Sequence, residues 1–476
     1  MSDLKPNSKG NGGEAEQSAA GDSAYEETLK KLFVLKRFGV KLDLRGPRRV
    51  LCKLRDPHLK YPVVHIGGTN GKGSTAAMVA EILREGGLRV GLFTSPHLNR
   101  FTERIKVSGE EIPEGSVVEL FQKISRLDPD LTFFERTALM AFVHFQLSEV
   151  DVAVVEVGLG GRLDVTNLVQ PVVTGIMQIA ADHTAYLGRD ISRIAWEKAG
   201  ILRPGVPAVM APGESKEAVE VLKNMSHARG AKSYFWNRDF KMVSRAGEGE
   251  GDGPWEYWGP GGPLTVQELS LRGEHQVRNS ASALALTGLL GGDLKVSESA
   301  KLGGLSKVRW PGRGEVFTHS EGCRVLLDAC HNPAAVLALK RLLRQLNYRK
   351  LHVVVGAMSD KDLEATLVPL VEEAETAIIT RAAYYRSCAA EELIKRLQSK
   401  TSSTSFSVVT PVEKAVEVGV RRSSPEDLVV VTGSVFLVGE ARSTLLGEKT
   451  DPFQVTDPVH PPEVPRSRQR LQQTPR

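Results

Sequence analysis

HIGGTNGKGST, residues 65–75, is a glycine-rich turn entered from the β-branched run YPVVHI (61–66) and left through the alanine-rich STAAMVAEILREGG (74–87). Strand, glycine turn and helix, in that order, are what a phosphate-binding loop needs. Small residues let backbone N–H groups curl around phosphate oxygens, and the helix N-terminus adds partial positive charge. Lys72 supplies a full charge for the β/γ-phosphates. The loop departs from the standard GxxxxGK[ST]: Ile66 stands where the first glycine would be, and Gly73 separates Lys72 from Ser74.

Outward from this loop, strand-like runs alternate with helix-length patterns: RVGLF (89–93), DVAVVEV (151–157) and VVTGIMQI (172–179). That alternation predicts an α/β fold, a parallel sheet covered by helices on both faces. A second set follows the Trp310-Pro311-Gly312 turn: CRVLLDA (323–329), LHVVVGA (351–357), ETAIIT (375–380), SFSVV (405–409) and DLVVVTGS (427–434). It reads as a separate, smaller α/β domain. AGEGEGDGPWEYWGPGGP (246–263) is expected to join strands of a small antiparallel excursion within the first domain. The expected organisation is a polar disordered tail over 1–22, an ATP-binding domain over 23–308, a carboxy-terminal domain over 309–445 and a Pro/Arg-rich disordered tail over 446–476.

The chain has 476 residues, 41% hydrophobic and 25% charged, the mixture of a soluble enzyme rather than of a disulfide-stapled scaffold or a disordered chain. A net charge of +5 is too thinly spread to indicate a nucleic-acid partner. Without a signal segment or a long apolar run, a cytoplasmic protein that makes no membrane contact is expected. Cys52, Cys323, Cys330 and Cys388 lack metal-knuckle spacing and are expected to be buried, reduced thiols.

Nucleotide phosphates call for Mg²⁺, a hard ion that takes oxygen ligands, so a carboxylate near the loop is required. Glu156 interrupts DVAVVEV near its carboxyl end, where ligands of open α/β sheets bind; the alternative is a core-edge carboxylate paired with Arg162. His183 follows VVTGIMQI in the same manner, although histidine is an uncommon ligand for magnesium. Ser95 offers a hydroxyl to metal or caps a turn. Lys198, in WEKAGIL, reads locally as a solvated helix lysine.

GTNGKGS (68–74), TSPHLNRFTERI (94–105), EVGLGGRLDVTN (156–167), DHTAYLG (182–188), EKAGIL (197–202), HQVRNSASAL (275–284), PGRGE (311–315), LDACHNPAA (327–335), SDKD (359–362) and TGSVFLVGE (432–440) form a colinear series. The series resembles the folylpolyglutamate synthase/dihydrofolate synthase family, a branch of the Mur ligase superfamily, from about residue 25 to 445. The resemblance implies a P-loop ATPase domain and a Rossmann-like glutamate ligase domain with ATP and folate at the cleft between them. It assigns Thr69, Asn70, Gly71, Lys72, Gly73, Ser74, Asn279, Arg313 and Asp328 to ATP. It assigns Ser95, Glu156 and His183 to magnesium, and His331 and Ser434 to the glutamate side. Thr132, Phe134 and Asp164 fall on pterin-contacting positions of bifunctional members. Lys198 falls on a lysine carbamoylated in this family, which would put a carboxylate-like group near metal; a monovalent cation is also admitted. Lys72, Lys198 and His331 are the expected catalytic set, His331 as proton acceptor or glutamate anchor. Departures are Ala329-Cys330 for the usual Gly-Ala, Gly314 after Gly312-Arg313, and Ala180-Ala181 before Asp182.

The expected activity is ATP-dependent ligation of L-glutamate to dihydropteroate or a reduced folate through an acyl phosphate, carried out by a monomer on small-molecule substrates. Rivals are a Mur-type ligase acting on a peptidoglycan precursor, a P-loop switch that hydrolyses ATP to move a partner, and a degenerate nucleotide-binding module.

Overall fold

β-branched runs buried on both faces read as near-continuous apolar strands, and those at 63–67, 152–156 and 428–432 are buried at every position. The computed structural model describes residues 12–35, 43–182, 184–245, 253–320, 322–401 and 404–451. The first sheet comprises β1 (Val63–Gly67), β2 (Val90–Phe93), β3 (Ile105–Val107), β4 (Glu110–Glu111), β5 (Val152–Glu156), β6 (Pro171–Ile176), β7 (Ala208–Met210) and β8 (Ser233–Phe235). Its order is β4-β3-β2-β5-β1-β6-β7-β8. The pairs from β2 through β8 are parallel, while β3 and β4 add an antiparallel edge.

Helix Lys72–Glu85 leaves the glycine turn and buries Ala76, Ala77, Met78, Val79, Ile82 and Leu83 in one core with helix Glu274–Gly288. Its alanines admit close helix approach. A second core, around helix Phe133–Leu147, covers the opposite face. β9 (Lys241–Ser244), β10 (Trp255–Trp258) and β11 (Leu264–Val266) form the antiparallel excursion. β10 lies inside the stretch read as turns, because Trp255 and Tyr257 alternate into the core.

The last sheet comprises β12 (Glu315–Thr318), β13 (Arg324–Asp328), β14 (Leu351–Val355), β15 (Thr376–Ile379), β16 (Ser405–Val408) and β17 (Leu428–Thr432), in the order β12-β13-β17-β14-β15-β16. Only β12 runs antiparallel among these pairs.

Three expectations need correction. The head read as disordered over 1–22 overlaps a helix that runs from Gly12 to Leu35; Tyr25, Leu29 and Leu32 anchor it in the core, a tie that the polarity of the preceding residues hides. Residues 1–11 lie outside the described residues. The tail read as disordered from 446 begins with anchored chain: Asp451 is 6% exposed, and its carboxylate accepts from the Phe101 N–H at 2.5 Å and the Tyr25 hydroxyl at 3.3 Å. Residues 452–476 lie outside the described residues. Cys52 is exposed, while the other three thiols are buried and none is in a disulfide. Among the described residues, no helix is long and apolar enough to cross a membrane.

Candidate active site

Parallel strands direct their carboxyl ends to one edge, and β1, β5 and β6 bring Gly67, Glu156 and Ile176 together there. The glycine turn leaves β1 and closes onto β6: the Thr69 N–H donates to Gln178 O at 2.6 Å, and the Ala180 N–H donates to the Thr69 hydroxyl at 3.1 Å. Gly71 is the helix N-cap at φ +84°, and a Cβ there would stand 2.5 Å from Asn279 Oδ1. Only glycine suits that position. Asn279 is thereby placed on the loop and is fixed by its amide bond to Gln276 Oε1 at 2.9 Å. Gln276 Nε2 also reaches the buried Ser74 hydroxyl at 3.4 Å.

Lys72 donates to Thr69 O at 3.0 Å, and its Nζ stands 3.8 Å from Glu156 Oε1. Glu156 is 3% exposed, and its other oxygen accepts only the Ser95 N–H among the described bonds, at 3.0 Å. Burial pushes its carboxyl above the usual range, against the attraction of Lys72, Arg313 and Arg104. Arg162, the alternative partner, is instead paired with Glu197 at 3.0 Å. A buried carboxylate short of donors, with a serine beside it, is a set of hard oxygens that fits a magnesium ion. His183 lies outside the described residues, and among those described no cluster of three or more acidic, cysteine or histidine side chains could hold a metal.

Lys198 ends helix Ile191–Lys198 and is 4% exposed, not solvated. Its ammonium donates to Gly68 O at 2.7 Å. Burial, then the charge of Lys72, lowers it to about 7, against the pull of Asp182 and Asp164. The shift favours the neutral amine beside the phosphate loop more than at an ordinary lysine.

The last sheet presents its own carboxyl edge to this one. Asp328, buried, accepts from the N–H groups of Gly314 at 2.9 Å and Cys330 at 3.0 Å, which shapes the turn carrying Arg313; the Arg313 side chain reaches Ala329 O at 3.4 Å. Cys330, at a departure from the family pattern, fills its space against the Thr432 hydroxyl at 2.9 Å. His331 Nδ1 bonds Ala329 O at 3.0 Å, and its Nε2 lies 3.4 Å from Asp182 Oδ2. Asn70 and Asn332 exchange amide bonds at 3.2 and 2.9 Å, and Lys361 pairs with Asp182. Asp182, Lys361, Asn332 and Arg104 have no role assigned from sequence, although DHTAYLG, SDKD, LDACHNPAA and TSPHLNRFTERI contain them. Arg104 is 4% exposed, donates to His97 Nδ1 at 2.8 Å and stacks over Phe133 at 5.1 Å. Burial lowers it to about 10.

The remaining candidates carry structural bonds. Thr132 is the N-cap of helix Phe133–Leu147 in a reciprocal capping box with Glu135. Ser434 caps helix Val435–Leu446 by accepting from the Phe436 N–H at 3.2 Å. Phe134 lies across Gly158, where any Cβ would overlap its ring. Asp164 is buried and caps the turn Val165–Leu168.

The Mur ligase middle domain family matches residues 66–287, and the Mur ligase glutamate ligase domain family matches residues 312–435. The dihydrofolate synthase/folylpolyglutamate synthase of Escherichia coli is 34% identical over 80% of this chain and 86% of its own length. A probable bifunctional folylpolyglutamate synthase/dihydropteroate synthase of Haloferax volcanii is 34% identical over 88% of this chain, which spans 50% of that relative's length. Among solved structures, E. coli FolC in complex with DHPP and ADP superposes with a TM-score of 0.78 at 30% identity, covering 87% of this chain and 97% of that one. A Yersinia pestis bifunctional folylpolyglutamate synthase/dihydrofolate synthase complexed with AMPPNP and Mn ion gives 0.74 at 32% identity, over 86% and 94% of the two chains.

Proposed function

The chain belongs to the folylpolyglutamate synthase/dihydrofolate synthase family of Mur ligases, and from that premise we propose that it uses ATP to join L-glutamate to the carboxylate of dihydropteroate or a reduced folate. One observation carries the reading: Lys72 and the donor-poor, buried Glu156 share the carboxyl edge of the first sheet, and the Asp328–His331 turn faces them from the last.

A carboxylate does not react directly with an amine, since the leaving group would be oxide. Here a carboxylate oxygen attacks the γ-phosphorus; a C–O–P link forms, the β–γ bridge breaks and ADP leaves. The glutamate nitrogen then attacks the acyl carbon, giving up its proton, and inorganic phosphate departs with one oxygen of the original acid. Lys72 and the loop N–H groups take the charge of the transferring phosphoryl group. Asn279, Arg313 and Asp328 place the nucleotide, while His331 accepts the amine's proton or anchors glutamate. Glu156, Ser95 and His183 would hold magnesium, which when bound supplies charge stabilisation to the phosphoryl group. The depressed Lys198 amine is suited to carbamoylation by dissolved CO₂: the ammonium releases one proton, the free amine forms an N–C bond to CO₂ and releases a second, and a cation becomes an anion. In this reading residues 23–308 hold the phosphate loop and the pterin acid, and 309–445 serve the incoming glutamate and lend Arg313 and Asp328 to the nucleotide.

The test is turnover with oxygen-18 in the acceptor carboxyl group, alongside mass spectrometry of products from dihydropteroate and tetrahydrofolate supplied separately. Label in the released phosphate and a one-glutamate mass gain are expected; unlabelled phosphate overturns the acyl phosphate, and no gain with either acid overturns the assignment.

A further inference from the structure

His65 lies in mid-β1, 0% exposed, paired in register with Val155 on one side and Thr174 on the other. A leucine would fill such a place at no polar cost. Its Nε2 stands 3.0 Å from Thr166 Oγ1. That hydroxyl is 2.6 Å from Asp164 Oδ1, and a carboxylate only accepts. Thr166 therefore donates to Asp164 and accepts from His65, which fixes the imidazole as the Nε2–H tautomer. Nδ1 has no hydrogen-bond partner in this structure, and burial, with Arg203 nearby, lowers the ring to about 3, so it stays neutral.

The carboxylate at the end of this relay holds the loop that follows Glu156. Asp164 Oδ1 also accepts the Thr166 N–H at 2.9 Å, and Oδ2 accepts the Leu159 N–H at 2.8 Å. Gly158, next to Leu159, lies under Phe134, and Asp164 contributes to the field at the Lys198 amine. One strand thus carries His65 two residues before Gly67, where the phosphate loop begins.

We propose that His65 is a positioning residue which, through the Thr166 hydroxyl, holds Asp164 and the 158–164 loop in the geometry that receives the pterin acid. The inference rests on the ligase reading for the identity of that acid. Removing the hydroxyl without changing shape loosens the loop on the pterin side and leaves the phosphate loop, which has its own bonds to Gln178 and Ala180, in place.

The experiment compares the full-length chain with T166V, T166S, H65N and H65Q, measuring kcat and KM for the pterin acid, ATP and glutamate, with melting temperature as the check on folding. T166V is expected to raise KM for the pterin acid about tenfold with KM for ATP and kcat held within about twofold, and T166S to restore it. H65Q, whose amide nitrogen can stand where Nε2 stood, retains more function than H65N; this second pair decides the matter if T166V does not fold. An unchanged KM for the acid in T166V, or a parallel loss of all three constants that tracks melting temperature, overturns the inference. A wild-type chain that adds no glutamate to any pterin acid overturns the ligase reading and this inference with it; normal wild-type turnover beside an unaffected T166V overturns this inference alone.

Discussion

Glu156 and Asp427 are both covered, 3% and 2% exposed, but Glu156 lies deep at the carboxyl end of β5, whereas Asp427 lies just under the surface before the amino end of β17, beside the exposed Arg349. Their protonation runs in opposite directions. At Asp427 burial works against the charge, but the Ser424 N–H, Arg349 and the Ser424 hydroxyl, at 2.8 to 3.4 Å, hold the carboxyl well below its usual range. At Glu156 one N–H and a lysine at 3.8 Å do not offset burial, and the carboxyl is raised. The amino edge of the last sheet is finished by the protein itself; the carboxyl edge of the first leaves a buried carboxyl short of donors, the place our proposal gives to magnesium.

Exchanging charge for amide at each position should dissociate activity from stability. E156Q is expected to lower ligation by about a thousandfold or more while leaving the melting temperature unchanged or higher, since a buried charge is removed. D427N is expected to keep kcat and lose about 1–3 kcal/mol of folding stability in urea titration. A stability loss in the first variant, or an activity loss in the second, would break the contrast. Lys72→Ala should match E156Q in turnover with its circular dichroism intact.

Lys198 sharpens the contrast from the cationic side. Lys198→Ala is expected to cost about a hundredfold in kcat, and withdrawal of bicarbonate should lower wild-type but not variant activity, with the carbamate detected on the Lys198 peptide after chemical trapping. A smaller effect is expected at the junction of the sheets: N332A should raise KM for ATP about tenfold by removing the paired amides to Asn70, which steady-state kinetics would show.

The least effect belongs to Asp451. Burial raises its carboxyl from 3.8 to about 6, so the folded state binds more protons than the unfolded one between those values, and stability falls as pH rises through that window. D451N should flatten this slope, worth on the order of 1–2 kcal/mol, in urea midpoints compared at about pH 4 and about pH 7.

Period and punctuation made both sheets legible, because a strand buried on two faces writes itself as an unbroken apolar run. The edge strands β3, β4 and β12 were not legible; two to four residues with mixed polarity carry no period. The placement of Lys72 and Glu156 at one sheet edge was legible because it is local to a loop and a strand end. The Asp182–Lys361 and Asn70–Asn332 contacts join positions 179 and 262 residues apart, and no local pattern records such distances. Lys198 read as solvated because only packing tells which side of a short helix is covered. Thr132 shows the reverse: T-F-F-E already spelled a capping box.

Placing β1 between β5 and β6 has a consequence for biosynthesis. Residues 65–75 leave the ribosome long before the two strands that flank β1, so the nucleotide loop lacks a foundation until Ile176 has emerged. β17, inserted between β13 and β14, delays the last sheet in the same way until Thr432 is made. Nascent chains stopped short of these residues leave apolar strand edges unpaired.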